Sequence, residues 1–356
     1  MSWEENVRTV EPYVAGEQPK DPDIIKLNTN ENPYPPSPAA LEALKELEKE
    51  LPSLRLYPDM DASALVNALA DYYKVAPEQI FVGVGSDDVL ALCFLTFFTG
   101  GKPLLFPDIT YSFYEVWAEL FRIPTEQIPL TEDFTIRTED YLNRNGEIGG
   151  IIFPNPNAPT AVEKPLSEIE RIVRDNPDCV VIVDEAYVDF GAKSALPLLK
   201  KYDNLLVVQT FSKSRTMAGL RIGFAVGNPR LIRYLKDVKF SFNSYTMNLP
   251  AIRLGTAQAR DGAYFEQTCE RIISTREHFC SQLKELGFEF PPSKANFVFA
   301  RHPEMPGSEL FRRLREEKIV VRHWDKPRIG DYLRITIGTD EQMERVTAAL
   351  RRILQK

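Results

Sequence analysis

Lys213 stands in Val207-Val208-Gln209-Thr210-Phe211-Ser212-Lys213-Ser214-Arg215, where an apolar run ends in a lysine flanked by hydroxyls. A lysine at the end of a buried strand is set up for Schiff-base chemistry. Burial and nearby cations favour its neutral amine, the form that attacks an aldehyde. Upstream, Val180-Val181-Ile182-Val183-Asp184 carries a carboxylate at the end of a continuous apolar run. Downstream, Ala218-Gly219-Leu220-Arg221 turns through a glycine to an arginine that opens another apolar run. One amine, one acid and a group of hydroxyl and guanidinium donors match the needs of pyridoxal phosphate (PLP). That cofactor takes a lysine for its aldehyde, an acid for its pyridine nitrogen and donors for its phosphate.

Other residues support or dilute this reading. Gly83-Val84-Gly85-Ser86-Asp87-Asp88 follows an apolar run and opens a helix, an arrangement that lets backbone N–H groups meet a phosphate. It is not a dinucleotide fingerprint, because Asp88 stands where the last glycine belongs, and Ser86 and Asp87 serve equally well as a plain helix cap. Tyr111, at the start of a helical stretch, is placed either to stack on a flat ring or to fill core. Pro154-Asn155-Pro156-Asn157-Ala158-Pro159-Thr160 forms a rigid loop at a strand end, where open α/β sheets bind ligands, and it also reads as ordinary turn sequence. Arg334 lies inside the apolar strand Tyr332-Leu333-Arg334-Ile335-Thr336-Ile337, and Arg322 ends Lys318-Ile319-Val320-Val321-Arg322. A guanidinium there needs an anion, either an internal carboxylate or a substrate carboxylate or phosphate.

The elements that must position these groups alternate. Residues 38–51 read as an amphipathic helix with Leu41, Leu44, Leu47 and Leu51 on one face. Helices near 61–73, 86–99, 110–121 and 166–175 alternate with strands near 79–82, 103–106, 149–153, 179–183, 205–209 and 221–226. Continuous apolar strands between helices predict a mostly parallel sheet covered on both faces. The last hundred residues read differently. A long helix is expected near 262–286, strands near 288–290, 296–300, 318–322 and 332–336, and a terminal helix near 340–354. The expected division is therefore an arm with part of a small domain at 1–37, a large domain at 38–247 and a small α+β domain at 248–356.

Composition sets the outer limits. The chain has 356 residues, 44% of them apolar, enough for a substantial core. A net charge of −8 argues against a nucleic-acid partner. The longest apolar stretch, residues 89–98, is too short to span a bilayer, and the acidic start lacks an apolar signal region; a cytoplasmic location and no membrane partner are expected. The four cysteines (Cys93, Cys179, Cys269, Cys280) and three histidines (His278, His302, His323) show no metal-ligand spacing, so no metal site is expected.

Taken together, the Gly-Ser-Asp-Asp segment, Tyr111, Asn157, Asp184-Glu185-Ala186-Tyr187, Ser212-Lys213, Arg221 and Arg334 resemble a fold-type I PLP enzyme of the aspartate-aminotransferase superfamily. The resemblance runs nearly the whole length. Glu11-Pro12-Tyr13, Leu27-Asn28-Thr29-Asn30-Glu31-Asn32-Pro33-Tyr34, Leu56-Tyr57-Pro58-Asp59 and Leu333-Arg334-Ile335-Thr336-Ile337-Gly338-Thr339 are most similar to the branch that transaminates L-histidinol phosphate with 2-oxoglutarate. Aromatic amino-acid aminotransferases and a phosphothreonine decarboxylase are rival readings within the fold. The resemblance implies a seven-stranded sheet, with Lys213 carrying the cofactor and moving the proton. It implies Asp184 at the pyridine nitrogen, Asn157 and Tyr187 at the ring oxygen and Tyr111 stacked on the ring. Ser86, Asp87, Thr210, Ser212 and Arg221 would hold the phosphate. Tyr57 would reach the neighbouring subunit's cofactor, making a homodimer, while Tyr13, Asn157, Arg322 and Arg334 would bind substrate. Ala158 and Ala161 depart from the family loop, at positions given no chemistry.

Overall fold

The computed structural model describes residues 2–355. In chain order its strands are β1 (Ile25–Lys26), β2 (Ile80–Gly83), β3 (Leu104–Pro107), β4 (Thr125–Ile128), β5 (Gly150–Pro154), β6 (Val180–Asp184), β7 (Leu205–Thr210), β8 (Gly223–Gly227), β9 (Phe297–Ala300), β10 (Ile319–Val320), β11 (Arg322–His323) and β12 (Leu333–Thr336). Its α-helices are α1 (Pro38–Lys49), α2 (Ser63–Tyr73), α3 (Gly85–Phe97), α4 (Phe113–Phe121), α5 (Leu166–Asp175), α6 (Pro229–Phe242), α7 (Leu249–Arg260), α8 (Gly262–Glu285), α9 (Gly307–Glu316) and α10 (Asp340–Leu354).

The central sheet has seven strands in the order β2-β8-β7-β6-β5-β3-β4. Only β8 runs against its neighbours, so the sheet is mostly parallel. Each strand sends alternate side chains to opposite faces. Ile152, Ile182 and Leu206 point into one core with α3, α4 and α6, while Ile151, Phe153, Val181, Val183, Leu205 and Val207 point into another with α5. Both faces are buried, which is why these strands read as continuous apolar runs. The carboxyl ends of β2, β3, β5, β6 and β7 share one edge of the sheet, and β8 starts there. The connections part on either side of β3, between β4 and β5, and ligands bind at such an edge.

A separate antiparallel sheet, β11-β12-β9, packs with α8, α9 and α10 around a second core that includes Ile272, Leu310, Ile335 and Leu350. The amino-terminal arm joins it. β1 pairs in parallel with β10, and Ile25 and Leu27 are buried in that core. Three expectations need correction. The strand expected at 288–290 is only an isolated bridge, Glu289 to Arg301. The strand expected at 318–322 breaks at Val321, because β10 pairs with β1 and β11 with β12. Residues 249–260 were assigned to the small domain, but α7 packs on α1 and α2, with Ala251 and Ile252 in the same core as Val82 and Phe224.

Candidate active site

Two glycines shape the floor. Gly85 has a φ of +86°, and a Cβ there would lie 2.5 Å from Arg221 Nη2. A Cβ on Gly223 would lie 2.3 Å from the Ser86 backbone nitrogen. The start of α3 is thus pressed against the start of β8, with its N–H groups and positive dipole end facing the sheet edge. Arg221 reaches the same point, donating to Asp87 Oδ2 at 2.9 Å and to Ser212 Oγ at 3.2 Å. Thr210 Oγ1 donates to Ser212 Oγ at 3.1 Å. Ser86, Asp87, Thr210, Ser212 and Arg221, all predicted from sequence, therefore converge on one corner of the cavity, the candidate phosphate cup.

Asp184 ends β6 beside this cup. Its carboxylate accepts from Tyr114 Oη at 2.9 Å and from the Ala186 backbone at 3.2 Å. Burial is the dominant influence and pushes its pKa up to about 6, against the lowering effect of those two hydrogen bonds. A buried acid held by two donors, with no cation at ion-pair distance among the described residues, fits a protonated ring nitrogen as its partner. Lys213 Nζ donates to the Thr29 carbonyl at 2.9 Å. Burial and the neighbouring Arg334 lower its pKa to about 8, which raises the share of free amine near neutral pH.

Tyr111, expected at the start of a helix near 110–121, lies in the turn before α4, which begins two residues later at Phe113. Its hydroxyl donates to Asp87 at 2.8 Å and its ring borders the cavity. Tyr187 accepts from Asn30 Nδ2 at 2.9 Å, and its ring centroid lies 5.8 Å from Lys213 Nζ. Together with Tyr13, Arg322 and Arg334 these groups line one cavity of about 800 Å³. Tyr13 stacks on Phe113 at 4.1 Å. Two predicted residues lie elsewhere. Asn157 is buried behind the wall, with its amide donating to the Ile109 carbonyl and Thr160 and accepting from Thr110. Both hydrogens of that amide nitrogen are spent on fixing its loop. Tyr57 is 82% exposed and stacks on Tyr245, away from this chain's own cavity.

Sequence reasoning missed Tyr114, Thr29, Asn30 and Asn32. Asn32 Nδ2 donates to the carbonyls of Lys213 and Ser214 at 3.0 and 3.2 Å, so the arm holds the lysine loop from above. The available signal was the polar run Asn28-Thr29-Asn30-Glu31-Asn32, with Asn28 and Asn30 both buried. Buried amides must be spent on something.

The donor set fits a flat aldehyde bearing a ring nitrogen and a phosphate: one amine, one acid, one phosphate cup, one aromatic wall. Residues 22–350 match the family described as aminotransferase class I and II, and the chain belongs to it. Within that family its relatives are histidinol-phosphate aminotransferases. One from Lactococcus lactis subsp. lactis is 52% identical over 356 residues, covering 100% of this chain and 98% of the relative. Another, from Acinetobacter baumannii, is 52% identical over 350 residues, covering 98% and 96%. Among solved structures, a histidinol-phosphate aminotransferase from Sinorhizobium meliloti in complex with pyridoxal-5'-phosphate has the same fold, with a TM-score of 0.84, 21% identity and coverage of 93% and 90%.

Proposed function

We propose that the chain is a PLP-dependent enzyme of histidine biosynthesis that transfers the amino group of L-histidinol phosphate to 2-oxoglutarate, giving imidazole acetol phosphate and glutamate. Identity of 52% along the whole length of a relative named for this activity carries the reading. The cavity agrees with it, since it brings the amine, the acid and two substrate arginines onto one surface.

Lys213, Asp184 and the cup formed by Ser86, Asp87, Thr210, Ser212 and Arg221 would hold the cofactor. When bound, it stabilises negative charge left on the substrate carbon after a proton departs. Lys213 Nζ, whose neutral form burial favours, takes that proton and returns it as a positioned base and acid. Asp184 would face the ring nitrogen and favour its protonated form. Tyr187 is placed beside the amine and Tyr111 along the wall. Arg322 and Arg334 present two guanidinium forks to the substrate anion, whether phosphate or carboxylate. Asn157 fixes Ile109 and Thr110 at the rim, and its amide would also serve the ring oxygen or the substrate.

We further propose a homodimer with shared sites. Leu41, Leu44, Leu51, Leu54, Leu56, Tyr57, Phe242 and Tyr245 are exposed on a single chain, a concentration that a second copy would cover. The domain division we propose places residues 38–261 with the large sheet and the arm with the carboxyl-terminal layer. All four cysteines are free, in keeping with a reducing compartment, and we place the enzyme in the cytoplasm. The test is direct. Purified protein with 2-oxoglutarate should turn over L-histidinol phosphate with a higher kcat/KM than phenylalanine. A clear preference for phenylalanine would transfer the assignment to an aromatic amino-acid aminotransferase.

A further inference from the structure

β11 and β12 run antiparallel with Arg322 directly opposite Arg334. Two like charges in register repel, yet among the described residues neither arginine makes an ion pair with a carboxylate. Arg322 Nη2 donates to the Val14 carbonyl at 3.3 Å and Arg334 Nη2 to the Asn28 carbonyl at 2.9 Å. Arg334 Nε is buried without an acceptor. What the pair shares is an indole. The guanidinium of Arg322 lies 5.4 Å from the Trp324 ring centroid and that of Arg334 lies 5.1 Å from it. Trp324 borders the same cavity as both arginines.

An aromatic face attracts a cation through its ring quadrupole, and indole does so best. Unlike a carboxylate, it does not occupy the N–H forks that a substrate anion must enter. A carboxylate here would neutralise the pair and compete with that anion. We propose that Trp324 is a positioning residue that holds Arg322 and Arg334 side by side and leaves the N–H groups not spent on Val14 and Asn28 free for the substrate's phosphate or carboxylate. This deepens the reading of the site as one for a phosphorylated amine and rests on it.

The experiment compares the PLP-loaded wild type, Trp324→Leu and Trp324→Phe in steady-state kinetics with L-histidinol phosphate as amino donor and 2-oxoglutarate as acceptor and, separately, with glutamate as donor and phenylpyruvate as acceptor. Trp324→Leu should raise KM about tenfold for both donors and leave kcat within about twofold, as expected for lost ground-state binding of the anion. Trp324→Phe keeps an aromatic face and should stay within about threefold of wild type. Thermal unfolding reports whether each variant folds, and Trp324→Met replaces the leucine variant should that one not fold. Unchanged KM in the leucine variant, equal damage from leucine and phenylalanine, or a loss confined to kcat would each overturn the proposal. A wild type that uses glutamate but not L-histidinol phosphate would overturn the substrate reading instead, and the glutamate arm would still decide the role of Trp324.

Discussion

Asp184 shows how one buried side chain couples cofactor binding to stability. Its folded pKa of about 6 lies above the ordinary 3.8, so the folded, cofactor-free chain binds a proton that the unfolded chain releases. Its stability contribution is present below about pH 4 and is lost as pH rises through 6. Asp184→Asn removes that loss. We expect the cofactor-free variant to melt above cofactor-free wild type at pH 8 and level with it near pH 3.5, while PLP retention on dialysis falls. Equal melting temperatures at pH 8 would contradict the assignment. Lys213 belongs to the same scale. Borohydride reduction of the loaded enzyme should fix the cofactor on the peptide containing Lys213, and Lys213→Ala should bind PLP weakly through the phosphate cup without turning over. Arg322→Ala should lower kcat/KM for L-histidinol phosphate about tenfold to a hundredfold, in line with roughly 1.5–3 kcal/mol for a charge-assisted bond, and lower phenylalanine turnover less. Equal losses would mean that Arg322 does not read the phosphate. Lys213, Asp184, Arg221, Arg322 and Arg334 were legible because charge at the end of, or inside, an apolar strand is costly without a purpose. Tyr114 was not, since a buried tyrosine looks the same whether its hydroxyl meets a carbonyl or an acid such as Asp184.

At the scale of elements, the turn after Lys213 carries the tension. Thr216 has a φ of 59°, in the left-handed region that a β-branched residue rarely adopts, and its hydroxyl is buried without a partner. Thr216→Gly should stabilise the protein by about 1 kcal/mol, read as a higher urea midpoint at unchanged slope. A lower midpoint would show that the threonine packs well enough to outweigh its backbone cost. The turn is held from behind by Arg215, whose buried guanidinium lies 4.2 Å from the Phe265 ring centroid and 4.6 Å from that of Tyr72. Beside it, Ser214 Oγ donates to the half-buried Asp189 at 2.5 Å. The sequence pattern placed the inner strands within two residues and α5 and α10 to the residue, because each presents an unbroken apolar run or a full helical period. β4 escaped it. Thr125-Glu126-Gln127-Ile128 is an edge strand with one buried side chain, and a single apolar residue has no period to detect. Leu41 and Leu44 were read correctly as one face with Leu47, but in a single chain they stay about half exposed while Leu47 is buried. Hydrophobic patterning marks a face for burial without saying whose surface covers it.

For the whole molecule, the proposed dimer makes a mixing experiment decisive. Tyr57→Phe and Lys213→Ala proteins are each expected to be weak or inactive. In a hybrid, one site would hold both lesions and the other neither, so subunit exchange should restore activity. Exchange shown by mass without recovery would mean that Tyr57 serves its own chain. The arm has a consequence in time. Among the described residues β1 pairs only with β10, and the Asn28 carbonyl waits for Arg334, 306 residues later. Contacts between such distant segments close slowly and late. During synthesis the arm therefore emerges before β10 and β12 and docks only after them, and a chain truncated after residue 318 should keep residues 20–32 open to protease while the longer chain protects them. Thr29, which aims Lys213, sits in that arm, so a nascent chain carries its reactive amine unaimed until the last strands have emerged.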